Sequence, residues 1–503
     1  MNIDYSSILK IDRAQPENGA SGSILTESEN DRSKILFSPA FRRLQQHAQV
    51  FPLNANRATR SKLSHALQVA QVGRSIADLI AAHLESENLA TRIECAALAN
   101  IIETACLARD IGNSPFGRAG EAAIQRWFAE YGPGKIRVAC RTYGTRELSA
   151  SDPRLVNALA DFYEFDSNPQ GLRVLAKFQW NNDPGGLNLT KASIASYVKY
   201  LRMAGGRTDE ESERFAEKPG FFSTEAGLVK NVWSTFAYDT AAQRFPLSYV
   251  VDVAGHIVSS ICDLEEAIDA NLLQAHETID TIKEQWLSTY IPVDPDLADE
   301  QILDMLTAAA KAKNSTGDAF SFADLRRALI TTLSGYAARR YIEQHEAVFD
   351  GTLDTLLPPE SGAGSILSTL RNYCQRHVYC LESVQRNELV GYSVVHGLLA
   401  HFGILLECPN ERFQIALDFS TEQKTFDKSL YFGQFIERKL LTLIPVEYRN
   451  AYAHLVAQLG SAGSRDAEFE EWNARAHLLT DFIAGMTESA ATALFQTLSG
   501  NRI

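Results

Sequence analysis

The chain has no excess of positive charge. Its 48 Lys and Arg stand against 62 Asp and Glu, a net charge of −14. That balance argues against a protein constitutively coated with nucleic acid, while leaving room for a local basic patch. Cysteine is sparse and unpatterned. The seven (Cys95, Cys106, Cys140, Cys262, Cys374, Cys380 and Cys408) are odd in number, and no two form a CxxC. Several fall in apolar helical runs, so they read as reduced, buried thiols of a cytoplasmic protein, not as disulfides or a zinc knuckle. Met1-Asn2-Ile3-Asp4-Tyr5 lacks a basic stretch leading into an apolar one, so no signal peptide is expected. No apolar run is expected to reach the length of a membrane span, and no membrane partner is expected. Alternating, strand-like stretches are few, and there is no internal repeat or heptad array.

What the chain does have is length and helical periodicity. With 503 residues, 45% of them hydrophobic, it can bury a large core. Lys62 to Leu84 carries Leu63, Leu67, Ala70, Val72, Ile76, Leu79, Ile80 and Leu84 at three- and four-residue steps, the pattern of an amphipathic helix. Ile93 to Asp110 and Pro246 to Ile268 read as further long helices, the latter with Gly255 at its middle, where glycine costs about 1 kcal/mol relative to alanine. Ser38 before Pro39 is a helix start, the serine as cap and the proline at the first helical position. Residues 130–152, with Gly132-Pro133-Gly134, read as loop. The expected class is all-α. Residues 1–24 are expected to be a flexible arm, 25–350 the core, and 365–503 a helical region packed on it, with Pro358 to Gly364 as the internal boundary.

The stretch that organises the rest is Leu107-Ala108-Arg109-Asp110-Ile111-Gly112-Asn113-Ser114-Pro115-Phe116-Gly117. It ends one apolar helix, turns sharply, and restarts as Glu121-Ala122-Ala123-Ile124. Polar groups crowded at a turn between helices are how a site is built on a helical scaffold. Taken alone, His65 reads as a satisfied core histidine, Glu121 as a first-turn carboxylate favoured by the helix dipole, and Lys199 and Lys218 as surface residues.

Together with other stretches these residues carry a resemblance. They include Phe41-Arg42-Arg43-Leu44-Gln45-Gln46, Gln49-Val50-Phe51-Pro52, Leu63-Ser64-His65, and Asp110-Ile111-Gly112-Asn113. Gly186-Leu187-Asn188-Leu189-Thr190, Lys199-Tyr200, Lys218-Pro219-Gly220, Arg244-Phe245-Pro246-Leu247, Asp263-Leu264-Glu265 and Gly485-Met486-Thr487 follow in order. Each is weak alone. The ordered set, from about residue 28 to 490, resembles the bacterial deoxyguanosine triphosphate triphosphohydrolases of the HD-domain phosphohydrolase superfamily. The resemblance implies an HD-domain helical core with additional C-terminal helices. It also implies a reaction in which water attack on dGTP releases deoxyguanosine and tripolyphosphate.

In that family two histidines and two aspartates hold a divalent ion, Mn²⁺ or Mg²⁺, which polarises a phosphate and supplies hydroxide. By correspondence the four metal positions are His65, Arg109, Asp110 and Gly255, so two ligands are lost. Gly255 has no ligating side chain, and Arg109 is a fixed cation with no lone pair for a metal. The family's catalytic histidine is Arg118 here, while its carboxylate partner, Glu121, is kept. A tyrosine expected near the sugar is Ser259. Gln49 and Val50 correspond to nucleoside-side residues, Lys199 and Lys218 to phosphate-binding lysines, Asp263 to a sugar-side carboxylate, and Arg438 to a region supplying a base- or effector-side arginine. His256 points about 100° from Gly255 around the helix and is not expected to replace the lost ligand.

The expectation is therefore little or no metal binding and a pseudoenzyme that binds dGTP or another dNTP. Its other expected partners are its own copies, as a hexamer or dimer, or an active paralogue. Two alternatives stand beside it: an active triphosphohydrolase with a rearranged metal site, and a single-stranded nucleic-acid-binding protein. Arg109 and Arg118 can either bind phosphate bidentately or pair with Asp110 and Glu121 and close the site.

Overall fold

The computed structural model describes residues 4–15, 22–50, 60–140, 149, 151–178, 186–206, 215–238, 243–290, 297–311, 318–421, 435–462 and 466–501. Phe51, Pro52 and Gly185 lie outside them, as does most of the charged loop between Gly205 and Glu217. Helices α1 (Ile24–Phe37) and α2 (Pro39–Arg43) precede α3 (Lys62–Ser86), α4 (Arg92–Ala108) and α5 (Arg118–Ala139). Then come α6 (Pro153–Tyr163), α7 (Ser167–Lys177), α8 (Lys191–Tyr197), α9 (Ala226–Thr235) and α10 (Pro246–Asp269). Next are α11 (Ala275–Thr289), α12 (Leu297–Lys311), α13 (Asp318–Glu343), α14 (His345–Phe349), α15 (Gly362–His377) and α16 (Glu382–Phe402). The last are α17 (Asn410–Thr421), α18 (Phe435–Leu443), α19 (Val446–Ala462), α20 (Ala467–Ala484) and α21 (Glu488–Leu498). The strands among the described residues are two short parallel pieces, β1 (Arg202–Met203) and β2 (Pro219–Phe221). The class is all-α, with an HD-domain core.

The centre is three helices. α3 lies along α4, and α10 packs on both. Their starts are specified locally. Ser61 caps α3 by accepting from the Ser64 N–H, Thr91 and Glu94 form a capping box on α4, and Pro246 sits in the first turn of α10. α10 is buried on nearly every face, including its Asp263, Glu265 and Glu266. By length and composition α10 and Glu382–Leu406 match a membrane span, which corrects the expectation that no run is long enough. In α10, 83% of that window is buried inside the protein, so its apolarity serves the core.

Two further readings of the sequence are corrected. Residues 130–139 are helix, not loop: α5 runs through Pro133 to Ala139. Gly132 allows this by admitting Leu159 of α6, whose Cδ2 would lie 2.7 Å from a β-carbon there. Within the segment read as a free arm, the described residues Tyr5 to Arg13 are docked. Tyr5, Ile8 and Leu9 are buried, and Tyr5 meets Phe349 edge-on at 5.0 Å. Arg13 pairs with Glu27 and Asp31, and Asp31 also accepts from the Thr190 N–H (2.8 Å) and hydroxyl (2.7 Å).

The C-terminal helices close around the core through buried charge. Arg173 of α7, 1% exposed, donates to both Asp481 carboxylate oxygens of α20 (2.9 and 2.8 Å) and to Glu225 (3.1 Å). Gln170 adds a hydrogen bond to Asp481 at 3.0 Å. On α6, Asp161 takes the His477 ring nitrogen of α20 at 3.0 Å, both side chains fully buried. Removing one partner of such a pair strands the other charge in a low dielectric. Asp481→Ala should therefore cost about 3–5 kcal/mol of unfolding free energy, read by urea denaturation; a loss of less than about 1 kcal/mol would show that Arg173 finds other compensation.

Candidate functional site

His65 lies in the first turn of α3, and Arg109 and Asp110 follow the last turn of α4. The turn after Asp110 is held close to α7. A β-carbon on Gly112 would lie 2.1 Å from the Ser167 carbonyl oxygen and 2.2 Å from the Gly171 nitrogen, so no side chain fits. Phe116 takes a left-handed φ of +63°, a costly conformation for an aromatic residue. Its ring is seated where a β-carbon on Gly391 of α16 would stand.

His65, Arg109, Asp110 and Gly255, the four positions expected from the resemblance, come together. His65 is 3% exposed and its Nδ1 has no hydrogen-bond partner. Burial holds its pKa below that of a free imidazole, although Asp110 and Asp263 pull the other way. Burial opposes ionisation of Asp110, but Lys62, His65, Arg109 and a 3.0 Å hydrogen bond from Asn113 hold it below the usual carboxylate range. Its second oxygen is buried and unpartnered. On α10, Gly255 faces the end of the Arg109 side chain. A β-carbon at 255 would stand 0.8 Å from Arg109 Nη1 and 2.1 Å from Cζ.

The guanidinium therefore occupies the volume in which a fourth ligand would begin. Arg109 Nη1 is itself buried without a hydrogen-bond partner. One imidazole, one carboxylate and a guanidinium are not a donor set for a divalent ion. Among the described residues no group of three or more His, Cys, Asp and Glu has the geometry to hold one.

One turn before Gly255, Asp252 gathers cations. Lys199 approaches it at 3.4 Å, Arg244 at 3.1 Å and His256 at 3.7 Å. Burial disfavours its charge, yet His256, Lys199, Arg244 and Arg109 hold it well below the normal carboxylate value. Burial lowers Lys199 to about 8. Asp252 favours the charged form of His256, but burial, Lys199, Arg109 and Arg371 bring it down to about 4. His256 thus faces Asp252 and the cations around it.

A second cluster holds Glu121. Burial and neighbouring Asp166 raise its pKa, and its Oε1 accepts from the Ser167 N–H at 3.1 Å. Lys218 is paired with Asp166 at 2.6 Å. Arg118, in the first turn of α5, is exposed; its charge is felt by Tyr379. Tyr197 and Tyr200 both feel the charges of Arg109 and Asp166, and the Tyr197 hydroxyl donates to the Asn168 carbonyl at 3.1 Å.

At the far end Asp263 of α10 accepts from Gln49 Nε2 at 3.1 Å and from the Tyr379 hydroxyl at 2.6 Å. Val50, beside Gln49, is buried. Arg438 stands elsewhere, half-buried on α18, which packs on α17. Asp252, Asp166 and Tyr379 were not singled out from the sequence. Asp252 carried the only legible signal, three residues before Gly255 on the same helix face. Nothing local marked Tyr379, which reaches Asp263 from after α15.

Two measurements follow. Alanine for a helical glycine normally stabilises by about 1 kcal/mol, but at 255 it must displace the Arg109 guanidinium. The gain should appear in full in an Arg109→Ala background and be lost beside Arg109, a coupling of about 1 kcal/mol in a double-mutant unfolding cycle. Strict additivity would mean that the guanidinium does not depend on the space at 255. Glu266 is the pH probe. It is buried with Oε2 unpartnered, and burial raises it from 4.5 to about 7. Because the folded carboxyl holds its proton longer than the unfolded one, stability should fall as pH rises from about 4.5 to about 7, by about 3 kcal/mol. Glu266→Gln should flatten that part of the profile, and an unchanged slope would assign it to another group.

No family model matches the chain. Relatives do. It is 31% identical over 488 residues to a deoxyguanosinetriphosphate triphosphohydrolase of Yersinia pseudotuberculosis serotype O:3 (strain YPIII), covering 92% of this chain and 91% of that one. The protein of the same name from Serratia proteamaculans (strain 568) is 31% identical over 492 residues, covering 92% of each chain. With that likeness running almost end to end, and with the HD-type helices in place, the chain belongs to the deoxyguanosinetriphosphate triphosphohydrolase family.

Proposed function

We propose that this member of the family binds a deoxynucleoside triphosphate in the family pocket and does not hydrolyse it by the metal-dependent route. One observation carries the reading: the Arg109 guanidinium fills the space that Gly255 leaves open, so the two lost ligand positions are complementary to each other. A ligand loss at one position alone would leave a hole. Here one side chain has grown into the volume vacated by the other.

The remaining residues support binding. Lys199, over the Tyr200 ring at 4.6 Å, and Lys218 present ammonium groups, each held by one carboxylate. Asp263, with Gln49 and Tyr379, offers a hydrogen-bonded carboxylate at the sugar end. In this reading the catalytic pair is broken: Glu121 accepts from Ser167 beside Asp166, and an exposed arginine, Arg118, stands in place of the family histidine. The role we propose is regulatory, in the cytoplasm, through occupancy of the pocket in assemblies with its own copies or with an active paralogue. The seven free thiols, six of them buried, are in keeping with a reducing compartment.

The test is release of tripolyphosphate from dGTP by the pure protein, with and without Mn²⁺, beside the Arg109→His/Arg118→His/Gly255→Asp variant. The parent should be silent and the triple variant should turn over in a Mn²⁺-dependent way. Mn²⁺-dependent turnover by the parent would overturn the proposal.

A further inference from the structure

We infer that the ligand is held as a metal-free triphosphate, with the Arg109 guanidinium standing where a divalent ion would neutralise it, and that Arg371 of α15 adds a second guanidinium to the same receptor. This rests on the nucleotide-binding reading above and specifies the form in which the ligand is bound.

The geometry starts at Gly255. Arg109 Nη1 lies against this glycine, buried and without a hydrogen-bond partner, so it has donor capacity that the protein does not use. One turn back on the same helix, Asp252 holds Lys199 at 3.4 Å. A guanidinium and an ammonium thus flank one stretch of α10. A phosphate oxygen entering there gains the free donor of Arg109 and competes with Asp252 for Lys199. Arg244 keeps Asp252 compensated when Lys199 turns away: it forms an ion pair with the second Asp252 oxygen at 3.1 Å, donates to Ser248 Oγ at 3.0 Å and lies over the Phe215 and Tyr249 rings at 4.6 and 4.7 Å.

Two more cations reach this pocket from other elements. Lys62, in the first turn of α3, is half-buried, and its charge acts on both His65 and Asp110. Arg371 is exposed on α15, which packs on α10, and its charge acts on His256, the neighbour of Gly255. Among the described residues neither Lys62 nor Arg371 has a carboxylate within ion-pairing distance, and Arg109 has none either. In a chain of net charge −14, Lys62 of α3, Arg109 at the end of α4 and Arg371 of α15 bring positive charge to this part of α10, beside Asp110 and Asp252, and form a local anion receptor.

Such a receptor discriminates against a metal-complexed ligand. A divalent ion on the phosphates brings positive charge against the buried Arg109 guanidinium, with Asp110 as the nearest compensating carboxylate. Like charges at close range in a partly buried site repel by kilocalories. A free triphosphate brings no such cation; Asp110 and Asp252 oppose it, while Arg109, Lys62 and Lys199 attract it and the guanidinium forks give it directional donors.

The experiment is calorimetric titration of the full chain with dGTP, and separately with inorganic tripolyphosphate, in EDTA and in excess Mg²⁺ or Mn²⁺. Tripolyphosphate release is followed in the same samples. Binding of dGTP should be tighter in EDTA, with Mg²⁺ weakening it on the order of tenfold. Arg371→Ala should weaken it by roughly tenfold at an unchanged melting temperature, and Arg371→Lys should recover most of the loss. Tripolyphosphate binding with the same metal sensitivity would assign the effect to the phosphate chain. dGTP binding alone, with that sensitivity, would support the same receptor with a nucleoside requirement. Binding that requires Mg²⁺ or Mn²⁺, or indifference to Arg371→Ala, overturns this inference. If no product forms in those samples the preceding proposal survives that result, whereas Mn²⁺-dependent product release overturns the preceding proposal itself.

Discussion

The site depends on one steric fact. The end of Arg109 and a β-carbon at position 255 cannot occupy the same place, and in this chain the arginine has it. A permanent cation there adds to the burial and the neighbouring charges that set the groups around it. Asp110 is held ionised next to it, His65 is kept neutral by burial, and His256 one residue on is pushed far below its usual pKa. A metal centre concentrates positive charge on an ion that can leave. A guanidinium fixes that charge covalently to the fold, where it can bind anions but cannot generate hydroxide.

The scaffold keeps this arrangement by clamping the elements that carry it. α7 sets the turn after Asp110 by leaving no room at Gly112, and α7 is itself tied to α20 through Arg173 and Asp481. α16 seats the ring of Phe116 against Gly391. α15 and the residues after it supply Arg371 and Tyr379. The C-terminal helices thus make contacts around Asp263 and Phe116 as well as in the core. A residue three hundred positions from the turn can therefore matter to it as much as one beside it.

Much of the helical framework was legible because its signals are local. Lys62 to Leu84, Ile93 to Asp110 and Pro246 to Ile268 declare themselves through periodicity and caps, and the structure differs from those bounds by a few residues. The loop read at Gly132-Pro133-Gly134 failed because packing against Leu159 outweighs the local cost of proline and glycine in a helix. The arm failed for a similar reason. Tyr5, Ile8 and Leu9 look unremarkable in a polar segment, and their burial depends on Phe349 and the core beneath.

Sequence alone determined the family, the all-α class, and the identities at the altered positions: Arg109, Arg118, Gly255 and Ser259. Side-chain chemistry alone says that glycine and arginine do not ligate a metal. Whether Arg109 and Arg118 would act together, or would close on Asp110 and Glu121, was left open by the sequence, because both outcomes use the same residues. Among the described residues the tertiary structure pairs neither arginine with those carboxylates. Arg109 projects onto the bare backbone of α10, Arg118 stands exposed at the start of α5, and Glu121 turns to Ser167 and Asp166. The physical reason is volume. A pattern of residue types carries charge and hydrogen-bonding capacity, but which side chain occupies a given space is settled only when helices distant in sequence are packed against one another.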